Sequence, residues 1–440
     1  MKLMTASADS PGWKLPFFTI WTGQVFSLLG SYLVQFALVW WVTRTTGSAT
    51  ILATASLVAL LPDILLGPFA GALIDRLDRR KVMIVSDLAV ALVTLSLVYL
   101  FWTGSIQIWH LYVVMTLRSL GNTFHRGAMQ ASTALMVPRA QLARIAGLNQ
   151  MLSGGLNIVA PPLGALLMEL LPLHMVVAVD VVTALIAVLP MIFIAIPSPR
   201  RADGPSGATN LRVLWGDVRM GLRLVGRWPG LLAIIILAML LNLIISPVFR
   251  LLPLLVSQHF GGGALEFAWL DSGWGVGYLA GGVLLGVWGG FKRRVITALT
   301  GIVGLGLGVT VVGLAPANAL PLAIGGLVFG AVMNSICNGA FMALMQERVD
   351  PSLQGRIGAV VSSGCMLMVP LGMAVAGPLA DAVSVRYLFL GAGLAQTVIG
   401  LISFGVPALM NVEKTDPPSL EELMPVAEGA APVEGAAAAD

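Results

Sequence analysis

Long apolar runs separated by short polar breaks recur along this chain. Each is long enough to cross a bilayer as a helix, which takes about 20 mostly apolar residues. The runs predict spans at about 15–43, 50–73, 83–104, 107–135, 143–169 and 173–196, and a second set at about 231–258, 266–290, 294–315, 318–346, 356–382 and 385–408. The first run, Leu15 to Val42, is too long for the h-region of a signal peptide and reads as a first span. A polar stretch, Pro197 to Pro229, separates the sets, and an Ala/Pro/Glu tail follows them with too little apolar surface to fold. The pattern predicts an all-α integral membrane protein with twelve transmembrane helices in two pseudo-symmetric six-helix bundles, residues 1–196 and 230–410. A cytoplasmic linker, 197–229, joins them, and a disordered cytoplasmic tail, 411–440, closes the chain.

Composition agrees with a bilayer setting. The 440 residues are 57% hydrophobic and only 10% charged, whereas a soluble domain carries about 25% charged residues. Of the 25 Lys and Arg residues, 20 fall on one side when alternate loops and both termini are grouped, and the opposite loops hold only Arg44 and Arg386. Arg118, Arg126 and Arg250 lie inside predicted spans. The positive-inside rule then predicts a plasma-membrane protein with both termini cytoplasmic. Cys337 and Cys365 sit in apolar runs, which is neither a disulfide framework nor a metal-ligand cluster; no metal and no cofactor is expected.

The halves repeat. A shift of 212 positions places Asn122 on Asn334, Gly127 on Gly339, Ala131 on Ala343 and Arg144-Ile145 on Arg356-Ile357. Parallel repeats about an axis along the membrane normal are one transporter architecture.

Polar residues inside spans are costly and mark function by default. Arg118, Asn122 and His125 share one helix face, as do Gln24, Ser27, Ser31 and Gln35 in the first span and Asn149, Ser153 and Asn157 in the fifth. These stripes, with Asn334 and Asn338 in the matching helix of the second half, predict a polar cavity for substrate; interhelical hydrogen bonding is the plainer alternative. Trp21, Phe124, Met129 and Phe341 are candidates for its apolar wall, or for packing. Asp63, Asp271 and Asp180, together with Arg118 and His125, are candidates for proton coupling, because burial and a neighbouring Arg move a carboxyl's affinity for protons in opposite directions.

The turn Gly71-Ala-Leu-Ile-Asp75-Arg76-Leu-Asp78-Arg79-Arg80-Lys81 resembles the signature loop of the major facilitator superfamily, although that family usually has Gly where this chain has Asp78. Gly71, Asp75, Arg76, Arg79 and Arg80 are therefore the candidate conformational-switch loop. The stretches Phe36 to Trp41, Thr46 to Thr50, Leu117 to Pro138 and Leu270 to Gly277 are similar to the macrolide-efflux branch of that superfamily, drug:proton antiporters with siderophore-exporter-like relatives. The resemblance covers nearly all of residues 15–408. It implies a substrate site between the halves near mid-membrane and a part for Arg118 in proton coupling. Gly154-Gly155 through Pro161-Pro162 loosely resembles the Gly/Pro antiporter motif.

Other classes are disfavoured. Gly275-Val-Gly277-Tyr-Leu-Ala280 fits a dinucleotide pattern but follows no strand. No Walker lysine loop argues for an ATP-driven pump, and no acid or cysteine constellation is spaced for enzymatic hydrolysis. The expected function is export of an amphipathic, macrolide-like small molecule in exchange for protons by alternating access. Export of a siderophore or other endogenous metabolite, and gradient-independent lipid scrambling, remain alternatives. The expected partners are the small-molecule substrate, protons and the bilayer. No nucleic acid partner is expected, and the chain is expected to be monomeric.

Overall fold

The computed structural model describes residues 4–5, 12–74, 76–196, 223 and 225–414. It is nearly all helical. The long helices are α1 (Lys14–Thr46), α2 (Ala49–Ile74), α3 (Arg79–Trp102), α4 (Ile108–Met136), α5 (Leu142–Leu170), α6 (Leu173–Phe193), α7 (Pro229–Arg250), α8 (Ala264–Trp288), α9 (Arg294–Leu314), α10 (Leu320–Arg348), α11 (Pro351–Val383) and α12 (Val385–Ser403). A two-residue parallel pairing joins Met4–Thr5 to Ile194–Ala195.

Helix ends follow local chemistry. Gly47 ends α1 and Gly289 ends α8, at φ 59° and 75°, the left-handed conformation that glycine adopts without a Cβ clash. Asp78 accepts from the backbone N–H groups of Arg80 (3.1 Å) and Lys81 (3.3 Å) and so caps α3. This cap starts the helix four residues before the predicted boundary. The predicted seventh span overshoots, because α7 ends at Arg250 and the chain continues through a short helix, Leu252–Leu255, and a π-turn, Val256–Phe260. The twelfth stops at Ser403 rather than 408, just before Gly405 and Pro407.

Ten described helices are long and apolar enough to cross a membrane. The two that fall short are α4 and α8, which carry Arg118, His125 and Arg126, and Asp271. The same polar residues that dilute their apolar character are the candidate chemistry.

In the first half α1 packs on α5 and α6, α3 on α4 and α6, and α2 on α4. In the second, α9 packs on α10 and α12, α8 on α10, and α7 on α11. Across the halves, α5 lies on α8 and α2 on α11. Close approach is built from small residues, as between membrane helices generally: a Cβ on Gly308 of α9 would lie 2.5 Å from the Gly326 carbonyl oxygen of α10.

The turn between α1 and α2 is a polar junction of the halves. The Asp381 carboxylate at the end of α11 accepts from the Ser48 hydroxyl (3.0 Å) and from the Ala49 (2.6 Å) and Thr50 (2.9 Å) backbone N–H groups. Gln258 donates to the Gly47 carbonyl at 2.7 Å. Nearby, Phe36 of α1 stacks on Phe267 of α8, ring centroids 5.0 Å apart.

Two predicted segment boundaries differ from the structure. Val225 and Trp228, inside the predicted linker, are buried in the second half. Glu413, inside the predicted tail, accepts from the Val295 N–H (2.9 Å) and from Arg293 Nε (3.3 Å). Both ends of the second half extend further because an apolar or capping side chain finds a partner there. The remaining linker and tail readings, over 197–222 and 415–440, lie outside the described residues.

Candidate functional site

The first half encloses a charged cluster. Arg118, ten residues into α4, ion-pairs with Asp180 of α6 and donates to the Thr94 hydroxyl of α3. The two side chains of the pair are 8% and 1% exposed. Asp180 also accepts from Ser31 of α1 (2.9 Å) and from Thr94 (3.2 Å). Asp87 of α3 is buried and accepts from Gln24 of α1 (3.2 Å). His125 of α4 brings its Nε2 to 3.4 Å from Asp87 Oδ1, without the alignment of a hydrogen bond. Three helices, α3, α4 and α6, thus place two carboxylates, one guanidinium and one imidazole in the core of one half, and α1 donates a hydrogen bond to each acid.

Asp63 lies apart from that cluster. It accepts from Thr123 (3.0 Å) and faces Arg126 at 3.5 Å, in a pair that is 27% and 67% exposed. Asp271 of α8 is half-buried, with Arg250 the charge it senses across from α7.

The predicted polar stripes divide. Gln24 and Ser31 point into the charged cluster, Ser27 is half-buried, and Gln35 and Asn122 are exposed. On α5, Asn149 accepts from Trp21 Nε1 at 2.8 Å, while Ser153 and Asn157 bond back to their own helix. Of the predicted face of Arg118, Asn122 and His125, the first and last engage acids on α6 and α3, and Asn122 is exposed.

The second half holds a partly open cavity of about 380 Å³. Asn242 and Ser246 of α7, Asn334 and Asn338 of α10 and Gln396 of α12 supply its polar lining, and Phe341 is part of its apolar wall. Among the described residues, no charged side chain lines it. Of the predicted substrate-cavity residues only Asn334 and Asn338 reach it. Trp21, Phe124 and Met129 instead pack against the first-half core.

In the turn between α2 and α3, Arg79 donates to the Ala131 carbonyl of α4 (2.9 Å), and Arg80 to the Met191 and Ile192 carbonyls of α6 (both 2.6 Å). These bonds stay inside the first half. Gly71 and Arg76 are exposed, and Asp75 lies outside the described residues.

Sequence reasoning missed Asp87, Gln396 and Asp381. Asp87 stands near the start of the predicted third span and so reads as a headgroup anchor, but the earlier start of α3 carries it about two turns inside. Gln396 is one uncharged amide in an apolar helix, with no charge or repeat to single it out.

Comparison with known proteins agrees with this architecture. The profile of a family described as transmembrane secretion effector matches residues 6–434. Macrolide efflux protein A of Streptococcus pyogenes is 31% identical over 404 residues, 92% of this chain and 98% of that protein. Multidrug efflux pump Tap of Mycolicibacterium fortuitum is 26% identical over 399 residues, 88% and 95% of the respective chains. Among solved structures, a bacterial homologue of the iron transporter ferroportin in an inward-facing state superposes with a TM-score of 0.65 at 15% identity, covering 89% of this chain and 99% of that one. A POT family transporter in complex with a thioalcohol-conjugated peptide gives 0.67 at 12%, covering 91% and 98%.

Proposed function

This chain belongs to the transmembrane secretion effector family of the major facilitator superfamily, and from that premise we propose that it exports a macrolide-like amphipathic molecule in exchange for protons. A multi-pass membrane transporter of efflux type is the plain consequence of the family. Twelve spans in two six-helix bundles, cytoplasmic termini, a plasma-membrane site and alternating access complete the proposal. The positive-inside count and the helix pairing within each half support them.

One observation carries the proton coupling. The buried cluster holds two carboxylates, Asp87 and Asp180, and one permanent cation, Arg118. Counting His125 as uncharged, its net charge is −1, and one bound proton makes it neutral. An uncompensated charge in a protein interior costs several kcal/mol, so the core favours the one-proton state while it is dry and releases the proton only where water reaches it. Alternate exposure of the cluster to the two sides then ties one proton to each cycle. Asp63, paired to an exposed Arg126, and Asp271 both stand outside this cluster.

The test is macrolide-dependent proton flux in proteoliposomes under an imposed pH gradient, with erythromycin as the probe. Asp87→Asn is expected to lower coupled flux at least about tenfold, the effect of losing a proton-transfer group, while erythromycin exchange without a gradient survives. Asp63→Asn and Asp271→Asn are expected to retain coupled flux. Full coupling in Asp87→Asn refutes the assignment.

A further inference from the structure

The two halves are built on one repeat, yet their cores are opposite in character. Under the shift of 212 positions, Arg118, His125 and Arg126 of α4 fall on Gly330, Cys337 and Asn338 of α10. Every cationic or titratable position becomes small or neutral. Where the first half packs a salt bridge, the second half holds the cavity, and both Cys337 and Asn338 line it.

The cavity has an unmet hydrogen-bond requirement. Gln396 is 1% exposed; its Nε2 reaches the Ile302 carbonyl at 3.4 Å, and its Oε1 is buried with no partner. The other polar groups satisfy one another or their own helix: Asn338 donates to Asn334, and Ser246 to Asn242. A buried polar group without a partner is costly and calls for an occupant. A charged occupant is disfavoured, because no described residue of the wall would compensate it. A purely hydrocarbon occupant would leave Gln396 unsatisfied. A hydroxyl, which both donates and accepts, pairs with the amide in either orientation.

We propose that this second-half cavity binds the uncharged, hydroxyl-bearing portion of the exported molecule, for a macrolide its lactone ring, with Gln396 as the anchoring hydrogen-bond partner, while the molecule's charged amine stays outside the cavity. The volume of about 380 Å³ lies within the range of small-ligand pockets, about 300–1,000 Å³, and takes part of such a molecule rather than all of it. The inference rests on the export reading and divides the labour between the halves: ions in the first, cargo in the second.

The chain supplies its own reporters, since its only two cysteines, Cys337 and Cys365, both line this cavity. Purified full-length protein in detergent is alkylated with N-ethylmaleimide across an erythromycin series, and modification of each cysteine is followed by peptide mass spectrometry. Erythromycin is expected to slow alkylation of Cys365, and of Cys337 behind it, in a saturable way. Gln396→Leu is expected to raise the half-protecting concentration about tenfold, the effect of one lost buried hydrogen bond, and Asn338→Phe, which fills the cavity, to abolish protection. The wild-type measurement needs no variant, so a misfolded substitution leaves the test intact. Erythromycin transported by the same preparation without protecting either cysteine overturns the inference and leaves the export reading standing. Protection that persists when transport proves independent of a proton gradient overturns the coupling reading and upholds the inference. An erythromycin that is neither transported nor protective sinks both.

Discussion

Arg118 and Asp180 form a nearly dry ion pair, with Thr94 and Ser31 adding hydrogen bonds to it. Removing one partner of such a pair costs about 3–5 kcal/mol, while replacing both with apolar residues is often neutral or better. Arg118→Met is therefore expected to lower the thermal unfolding midpoint in detergent markedly, and Arg118→Met with Asp180→Leu to recover most of the loss. A double variant no more stable than the single one would show that the pair is not electrostatically closed. The exposed Arg126–Asp63 contact is worth about 1 kcal/mol or less, so Arg126→Ala is expected to shift the midpoint little. Arg118 was legible because a charge so far into an apolar run demands a partner. Which acid answered it was not: Asp63, Asp180 and Asp271 satisfy the same linear pattern, and only the packing of α3 against both α4 and α6 selects Asp180.

At the scale of the element, the free N-terminus of α2 is capped by Asp381 from the other half. An N-terminal cap is worth about 0.5–2 kcal/mol. Here that energy also holds the two halves together at the α1–α2 end. Asp381→Ala is expected to loosen that end. In a background with Cys337 and Cys365 replaced by Ala, a Thr50→Cys reporter should react several-fold faster with a membrane-impermeant maleimide. Asp381→Asn, whose amide oxygen still accepts one N–H, should fall between. Equal reactivity across the three would remove the latch. Asp78, the departure from the resembled loop, has a local reason in the cap it gives α3. Glycine at a cap costs only a few tenths of a kcal/mol and alanine about 1 kcal/mol, so Asp78→Gly is expected to be better tolerated than Asp78→Ala in thermal unfolding. The loop's arginines Arg79 and Arg80 tie the turn to the carbonyls of α4 and α6.

For the whole molecule, the contact between α9 and α10 decides whether the second half closes. Gly308 leaves no room for a side chain beside the Gly326 carbonyl, so Gly308→Leu is expected to collapse the yield of monodisperse protein in size-exclusion chromatography. Gly286 meets no neighbour within 4 Å, and Gly286→Ala is the matching control, expected to leave the yield unchanged.

The linear pattern of this chain determined its class and its long helices, and carries a repeat 212 positions apart. Apolar length, loop charge and a repeat are all local or periodic properties that survive in one dimension. It also marked Arg118, His125, Asn334 and Asn338 as positions where a bilayer protein does not place polar groups idly. Three-dimensional packing decided the rest. It drew Asp87 inside by starting α3 a turn early, divided a single polar face between two acids on two helices, and left Gln396 Oε1 without a partner in a cavity whose described lining is neutral. Each of these depends on which helix faces which across a dry interior, where a missing partner is costly, and partners separated by tens to hundreds of residues leave no periodic trace in the chain.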